Sequence, residues 1–196
     1  MIDKATYDFY QSRAPHYTLN FGCSHSAQLD SFLDRLVPGA AIHEIGCGGG
    51  CDAARMKARG FAVDATDGVP AMVAKANERF DLGARVMRFD QIAASSRYDA
   101  VWAHACLLHC SRAQLPGVLG SIHRALRPGG WHFASYKLGD GEGRDLLGRL
   151  HNFPSPEWVR DQYAKAYFEL IDARVYAGNA ADGTVRDWIA MTVRKP

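Results

Sequence analysis

The stretch Ile42-His43-Glu44-Ile45-Gly46-Cys47-Gly48-Gly49-Gly50 decides the fold of this chain. It leads from an apolar strand, predicted over residues 41–45, through four glycines, and a helix is predicted directly after it, over 52–59. Glycines at such a turn let the backbone bend sharply and approach a ligand that a Cβ atom would keep away. A plain tight turn needs fewer glycines, so the stretch predicts a ligand-binding loop.

Short β-rich runs and helical patterns alternate on both sides of this loop. An amphipathic helix is predicted over 28–37, where Leu29, Phe32, Leu33 and Leu36 recur at spacings of three and four. The other predicted elements of this part are strands at 61–66, 85–89, 98–103 and 131–136, a helix beginning at Pro70 and a helix over 112–126. Repeated strand–helix–strand units imply right-handed crossovers and a mostly parallel sheet.

The last fifty residues change character. Ser155 is a plausible N-cap, and with Pro156 in the first turn it predicts a helix to about residue 166. Two predicted strands, 168–176 and 188–193, follow. The segment between them is too short for the crossover that parallel strands need, so they are predicted to pair antiparallel. We therefore predict a single doubly wound α/β domain over residues 1–196, with a seven-stranded mixed sheet whose last strand is antiparallel.

Composition excludes several classes of function. The chain has 196 residues, of which 47% are apolar and 22% charged, and its formal net charge is +2. This balance gives no electrostatic case for nucleic acid or an anionic membrane as a partner. No secretory signal, transmembrane segment or repeat is recognisable, and five cysteines in apolar or glycine-rich surroundings favour a reduced, cytoplasmic chain.

The pattern within the glycine loop discriminates between nucleotide ligands. A dinucleotide fingerprint requires a third glycine at position 51, which is Cys51, and the Lys-Ser/Thr pair of a phosphate loop is absent. Glu44, just ahead of the loop, would repel a pyrophosphate but suits a ligand with an ammonium and a sulfonium. S-adenosylmethionine is such a ligand, and a nicotinamide-dependent oxidoreductase is the alternative from another enzyme class.

Acidic residues near the ends of the next two strands support this ligand. Asp67 closes the second strand, 23 residues after Glu44, where a carboxylate can accept hydrogen bonds from both ribose hydroxyls. Asp64 is its rival but lies in mid-strand. Asp90 ends the predicted third strand, where it could accept a proton from the adenine amino group or simply be a solvated loop residue.

Four motifs in order carry a family resemblance: the loop at 44–50, Asp67, and the segments 98–101 and 126–130. Together they resemble the motif series of the class I S-adenosylmethionine-dependent methyltransferases, closely over residues 40–136 and by topology in the terminal hairpin. Segments 102–109, 135–139 and 141–145 look most like the small bacterial members that act on small molecules. The resemblance implies a Rossmann-like enzyme with a small-molecule acceptor, whereas fold alone does not set the substrate.

The resemblance also implies the sites. The cofactor-binding set comprises Glu44, Gly46, Cys47, Gly48, Gly50, Asp67, Gly68, Val69, Asp90, Gln91, Ala103 and His104. An N-terminal lid segment (residues 1–25) would fold over the cofactor, and a glycine-rich, mobile substrate-side loop (137–153) would form the wall of the acceptor pocket. The predicted substrate-contacting residues are Tyr10, Arg13, Tyr17, Tyr136, Lys137 and Arg144. An ordinary cap helix and a solvated basic loop are the plain alternatives for these two segments.

Methyl transfer from a sulfonium depends mainly on alignment and desolvation, and it needs a base only if the acceptor arrives protonated. His104 and His109 are the predicted catalytic residues, since a neutral imidazole suits that task. Tyr10, Tyr17 and Tyr136 are further candidates for the base. A packed, structural histidine is an equally good interpretation at either histidine position.

Two further alternatives remain open at this point. His104, Cys106, His109 and Cys110 fall within seven residues, with more cysteines in the glycine loop, and such soft ligands could bind a thiophilic metal or metalloid. Their spacing matches no zinc pattern, so we predict no metal site. A sensor or regulatory protein that binds the cofactor without turning it over is the non-enzymatic alternative.

Overall fold

The structure is a computed structural model that describes residues 2–20 and 25–196. Residues 21–24, which belong to the predicted lid segment and include Cys23, lie outside the described residues, as does Met1. The helices are α1 (Lys4–Asn20), α2 (Leu29–Leu33), α3 (Cys51–Ala58), α4 (Pro70–Phe80), α5 (Leu115–Ala125) and α6 (Pro156–Lys165). The strands are β1 (Ala41–Ile45), β2 (Ala62–Asp67), β3 (Arg85–Val86), β4 (Tyr98–Ala103), β5 (Leu126–Lys137), β6 (Gly141–Arg144), β7 (Leu150–Phe153), β8 (Glu169–Asn179) and β9 (Val185–Arg194).

Seven of these strands form one sheet in the order β3-β2-β1-β4-β5-β9-β8. The pairs from β3 to β5 are parallel, whereas β9 runs antiparallel to both β5 and β8. The predicted α/β fold with an antiparallel last strand is confirmed. Strand order reverses between β1 and β4, so a crevice opens there at the carboxyl ends of the strands, which is where such sheets bind ligands.

Aromatic side chains fill the core on one face of the sheet. The indole of Trp102 in β4 stacks on Phe133 in β5, with 4.1 Å between ring centroids, and meets Phe32 of α2 at 5.1 Å. On the other face α5 buries Leu115, Leu119 and other residues at helical spacing. Burial on both faces explains why β4 is an almost uninterrupted apolar run.

Three predicted elements differ from the structure. The helix predicted over 28–37 ends as α2 at Leu33, because the next residues make i→i+3 turns. The third strand pairs only over Arg85–Val86 and gives way to a single 3₁₀ turn, Phe89–Gln91. Segment 137–153, predicted as a mobile loop, contains the antiparallel hairpin β6–β7.

Polar contacts hold that hairpin together. Oδ1 of Asp145 accepts hydrogen bonds from the backbone N–H groups of Leu147 and Arg149 and so fixes the connection between β6 and β7. The residues of β6, Gly-Glu-Gly-Arg, show no apolar alternation. Sequence periodicity therefore gave no signal for this strand.

Within the described residues, no helix is both long enough and apolar enough to cross a membrane. Among the described residues, Cys47, Cys106 and Cys110 are free thiols.

Candidate active site

A cavity of about 1170 Å³ lies at the carboxyl ends of β1, β2 and β4. The glycine loop and the turn after β2 form one end, and β5 and the β6–β7 hairpin form the other. Helix α1 contributes Thr6, Tyr10 and Tyr17 to its wall. Its volume exceeds the roughly 300–1,000 Å³ of a typical single-ligand pocket, so it has room for two molecules side by side.

The glycine loop owes its shape to left-handed backbone angles. Gly46, Gly48 and Gly50 have φ values of +72°, +52° and +84°, a region that favours glycine. A Cβ on Gly50 would stand 2.6 Å from a methyl of Leu82, so this glycine is required by packing. A Cβ on Gly48 would meet only a Met72 methyl, at 3.6 Å, so its backbone faces open space.

Asp67, the last residue of β2, ties the loop to the next turn. Its Oδ2 accepts a hydrogen bond from the Gly48 N–H at 3.0 Å and its Oδ1 accepts one from Val69 at 2.9 Å. Burial raises the pKa of this carboxyl to about 6. The rival, Asp64, is engaged elsewhere: the Arg85 guanidinium donates to both of its carboxylate oxygens, at 3.0 and 2.9 Å.

Glu44 is the most deeply buried acid at this end of the cavity, with 3% of its surface exposed. The Ala53 N–H donates to its carboxyl group, but Oε2 has no partner within the described part of the chain. Burial, then the charges of Asp52 and Asp67, raise its pKa well above the usual range. Three carboxyl groups so close together favour a positively charged ligand.

Asp52 and His104 lie where β4 leaves the sheet. Asp52, in the first turn of α3, accepts hydrogen bonds from the Trp102 indole N–H at 2.8 Å and from the Ser26 N–H at 2.7 Å. His104 lines the cavity beside it. Burial lowers the pKa of His104, and Asp52 opposes that shift only in part, so the imidazole is neutral near pH 7.

His109 belongs to a hydrogen-bonded chain across the cavity wall. Its Nδ1 lies 2.7 Å from the Leu150 carbonyl, so Nδ1 carries the proton and donates. Its Nε2 then accepts from the Tyr10 hydroxyl at 3.0 Å, while Arg149 Nη1 donates to the same hydroxyl oxygen at 2.7 Å. Burial, followed by the charge of His151, lowers the pKa of His109 well below the usual range.

The far end of the cavity is basic. Arg149 is 1% exposed, and its Nε and Nη2 donate to Asp145 Oδ2 at 2.9 and 2.6 Å. His151 Nε2 reaches the same oxygen at 3.1 Å. Burial would raise the pKa of Asp145, but the Arg149 hydrogen bonds outweigh it and lower that pKa to about 2. Lys137, at the end of β5, lies beside this cluster.

Most of the predicted site residues line this one cavity. They are Tyr10, Tyr17, Glu44, Gly46, Cys47, Gly48, Asp67, Gly68, Val69, Asp90, His104, His109 and Lys137. The cavity thus brings together residues from the lid segment, the glycine loop and the substrate-side segment. Asp90 lies in the 3₁₀ turn rather than at a strand end, and the Arg88 guanidinium donates to it at 3.1 Å.

Six predicted residues do not line the cavity: Arg13, Gly50, Gln91, Ala103, Tyr136 and Arg144. Tyr136 is buried, and its hydroxyl pairs with that of Tyr163 at 3.0 Å. The Arg144 guanidinium donates two hydrogen bonds to the Asp3 carboxylate, from Nη1 to Oδ1 and from Nη2 to Oδ2, each 3.0 Å long. These placements correct the predictions of a substrate contact for both residues.

The other four are placed by packing or local contacts. Ala103 is buried in β4, and Gly50 packs against Leu82 as described above. The Gln91 side chain accepts the Arg88 backbone N–H. The Arg13 guanidinium lies over the Phe9 ring, 5.4 Å from its centroid.

Sequence reasoning missed Asp52, which could have been found as a second acid at the start of the helix that follows the glycine loop. His151 was expected among the basic residues of the substrate-side segment, but its contact with Asp145 has no local signal. Cys106 Sγ donates to the Ile45 carbonyl at 2.9 Å, and no group of three possible metal ligands is found among the described residues.

Comparison with known proteins agrees with this geometry. Residues 42–130 match the family described as "Methyltransferase domain". No protein of curated function matches the chain significantly.

Several solved structures share the fold. A 1,6-didemethyltoxoflavin-N1-methyltransferase from Burkholderia thailandensis, solved with 1,6-didemethyltoxoflavin and S-adenosylhomocysteine, is 22% identical, with a TM-score of 0.78 over 96% of this chain and 85% of that chain. An S-adenosylmethionine-dependent methyltransferase from Methanosarcina mazei is 15% identical, with a TM-score of 0.76 over 84% and 96%. The cyclase SpnF is 18% identical, with a TM-score of 0.76 over 100% and 98%.

The matched segment and the architecture define the class of this protein. Residues 42–130 match a methyltransferase domain, and the architecture is that of the methyltransferase structures named above. At 15–22% identity the structural likeness concerns the fold, and the cyclase shows that this fold also serves other reactions.

Proposed function

We propose that this enzyme transfers a methyl group from S-adenosylmethionine to a small-molecule acceptor by in-line displacement. The observation that carries the proposal is one cavity with two chemically different ends, about 1170 Å³ in volume. One end has the three clustered acids, and the other has Lys137 and Arg149. Two ligands of different charge can therefore lie side by side in it.

The acidic end fits the cofactor. S-adenosylmethionine, when bound, supplies an activated methyl group on a positively charged sulfur. The unpartnered Glu44 Oε2 fits an ammonium group. Because a Cβ on Gly48 would meet only a Met72 methyl, a ligand can approach the backbone of this glycine closely. Asp67 would accept from the ribose hydroxyls with its remaining lone pairs. Gly68, Val69 and Asp90 would border the adenine.

Helix α1 would exclude water from the reacting centre. The helix and the residue before it contact the hairpin segment at three places. Asp3, just ahead of the helix, pairs with Arg144, Thr6 Oγ1 accepts from the Leu150 N–H at 2.8 Å, and the Tyr10 hydroxyl accepts from Arg149. Loss of water favours displacement from a charged sulfur, because the charge is dispersed in the transition state.

The Tyr10–His109 pair provides a route for a proton. An acceptor that loses a proton as it gains the methyl group would pass it to Tyr10 Oη, while the Tyr10 proton moves to His109 Nε2. Tyr10 lines the cavity, and its hydroxyl already donates to that nitrogen. His109 is thus the base, Tyr10 relays the proton, and His104 is proposed to border the sulfonium.

The depth of the cavity and the charge of the chain support a small substrate. Tyr10, Tyr17 and the hairpin contribute to the cavity wall, and the formal net charge of +2 offers no broad basic surface for RNA or DNA. The related structure from Burkholderia holds a small heterocycle beside S-adenosylhomocysteine.

The test is formation of S-adenosylhomocysteine on incubation with S-adenosylmethionine and a panel of small phenols, amines, thiols and carboxylic acids. Peptides and RNA serve as the macromolecular comparison. Acceptor-dependent product with a small molecule and none with the macromolecules is expected. Methylation of peptide or RNA alone contradicts the proposal, as does cofactor binding without turnover of any acceptor, which would indicate a sensor.

A further inference from the structure

Lys137 is a buried cation that the cofactor end does not use. It is the last residue of β5, and 3% of its surface is exposed. Its ammonium nitrogen lies 5.5 Å from the centroid of the Trp188 ring and borders the cavity. Within residues 2–20 and 25–196, no carboxylate lies within ion-pairing distance of this nitrogen.

The acids nearest to Lys137 are committed to other partners. Asp145 accepts from Arg149 and His151 as described above. Asp182 accepts from the backbone N–H and the hydroxyl of Thr184, at 3.1 and 2.6 Å. Asp182 Oδ2 has no hydrogen-bond partner among the residues that the structure describes, and both aspartate charges act on Lys137, but neither carboxylate lies within ion-pairing distance of its ammonium nitrogen.

Arg149 cannot take the place of Lys137 as an anion receptor. Its Nε and Nη2 hold Asp145, and its Nη1 holds Tyr10. Asp145 balances the charge of Arg149, and each of the three guanidinium nitrogens already donates a hydrogen bond. Of the two cations that line the basic end of the cavity, Lys137 has donors left for a ligand, since an ammonium group has three.

A buried ammonium without a counter-ion is costly, and the cost falls when an anion joins it. Burial, then the charge of Arg149, lowers the pKa of Lys137 to about 8. At pH 7 the group is thus still charged, and it faces a cavity whose own acids lie at the opposite end.

We propose that the methyl acceptor carries an anionic group, a carboxylate or a phosphate, that pairs with Lys137 Nζ. This rests on the proposed function and narrows its substrate class. The Lys137 charge also acts on His109, so an acceptor anchored there has its remaining atoms beside the Tyr10–His109 pair. Lys137 would fix both the position and the charge type of the acceptor.

The test uses the full chain saturated with S-adenosylhomocysteine, and its readout is the melting temperature. The probes are benzoate, its neutral counterpart benzamide, and inorganic phosphate. Benzoate or phosphate should stabilise the protein and benzamide should not, and the two anions distinguish a carboxylate from a phosphate site. Equal shifts with benzoate and benzamide, or no shift with either anion, overturn the proposal.

Matched variants connect this preference to Lys137. Lys137→Met keeps the length of the side chain and should weaken binding of the preferred anion by roughly 10- to 100-fold, as expected for loss of a charged hydrogen-bond donor. Lys165→Met removes an exposed lysine on α6 and should change nothing. An unchanged anion preference in Lys137→Met overturns the assignment. Stabilisation by S-adenosylhomocysteine shows that the variant is folded, and Lys137→Gln is the second variant if it is not.

A pH titration provides a readout that a structural lysine would not give. The charged groups facing Lys137 are Arg149, Arg186, Asp145 and Asp182, and the Lys137 pKa of about 8 lies far from the usual ranges of arginine and aspartate. Anion affinity should therefore fall as the pH rises through about 8. A flat profile counts against the proposal. If the proposed function itself were wrong, no acceptor would be methylated, whereas the preference for anions in the melting experiments would persist.

Discussion

The Tyr10 hydroxyl lies 3.0 Å from Nε2 of His109, although 99 positions separate the two residues in the chain. The contact joins α1 to the segment after β4, so the N-terminal helix and the candidate base form one unit. Arg149 donates to the same hydroxyl from the hairpin. Three elements that are far apart in sequence thus meet at the atom proposed to receive the acceptor proton.

The first prediction concerns this contact. Tyr10→Phe should lower kcat by about 100-fold or more, in the range of general acid–base catalysis, with the affinity for S-adenosylhomocysteine unchanged. Tyr167→Phe, at a site that is 80% exposed, is the matched control. An unchanged kcat in Tyr10→Phe would mean that the acceptor arrives already deprotonated.

Glycine substitutions should separate packing from ligand approach. Gly83→Ala places alanine at φ +66° with nothing within 4 Å, so it reports the left-handed strain alone, about 1–2 kcal/mol. Gly50→Ala adds a collision with Leu82 and should be less stable than Gly83→Ala in urea unfolding. Gly48→Ala should resemble Gly83→Ala in stability but lose cofactor affinity. Equal cofactor affinity in Gly48→Ala and Gly83→Ala would remove Gly48 from the binding surface.

Cofactor binding should depend on the ionisation of Asp67. Because burial raises the pKa of this carboxyl to about 6, it is mostly protonated at pH 5 and ionised at pH 7. Calorimetric affinity for S-adenosylmethionine should fall about tenfold from pH 7 to pH 5, and Asp67→Asn should abolish this dependence. Asp161→Asn, an exposed change on α6, should retain it. A pH dependence that survives in Asp67→Asn would assign it to another acid.

The buried pair Asp145–Arg149 should dominate the stability of the acceptor end. Asp145→Ala leaves the Arg149 guanidinium buried without its partner and should cost about 3–5 kcal/mol of unfolding free energy. Asp161→Ala breaks an exposed pair with Lys165 and should cost at most about 1 kcal/mol. Similar losses in urea titrations of the two variants would show that the hairpin does not depend on this ion pair.

The parallel half of the fold could be predicted from sequence because its signals are local. Strand β4 was predicted over 98–103 and runs over Tyr98–Ala103, since an apolar run bounded by polar residues defines it. Pro70 marks the start of α4 for the same kind of reason. The β6–β7 hairpin escaped prediction because its stability comes from Asp145 and Arg149, not from a pattern.

Those parts of the candidate site that consist of neighbouring residues in the sequence could be predicted. Contacts between residues far apart in the sequence could not. Tyr136 and Lys137 are adjacent in β5, so their side chains point to opposite faces and only Lys137 reaches the cavity. Sequence reasoning assigned both to the substrate. Arg144 pairs with Asp3, 141 positions away, which no local spacing could reveal.

The most direct test of the central claim is thermal unfolding of the full chain with S-adenosylmethionine, S-adenosylhomocysteine or NAD in separate samples. A ligand at about 100 times its Kd should add roughly 2.7 kcal/mol to the unfolding free energy. We predict that the first two raise the melting temperature and that NAD does not. Stabilisation by NAD alone, or by none of the three, would contradict the assignment of the glycine loop to S-adenosylmethionine.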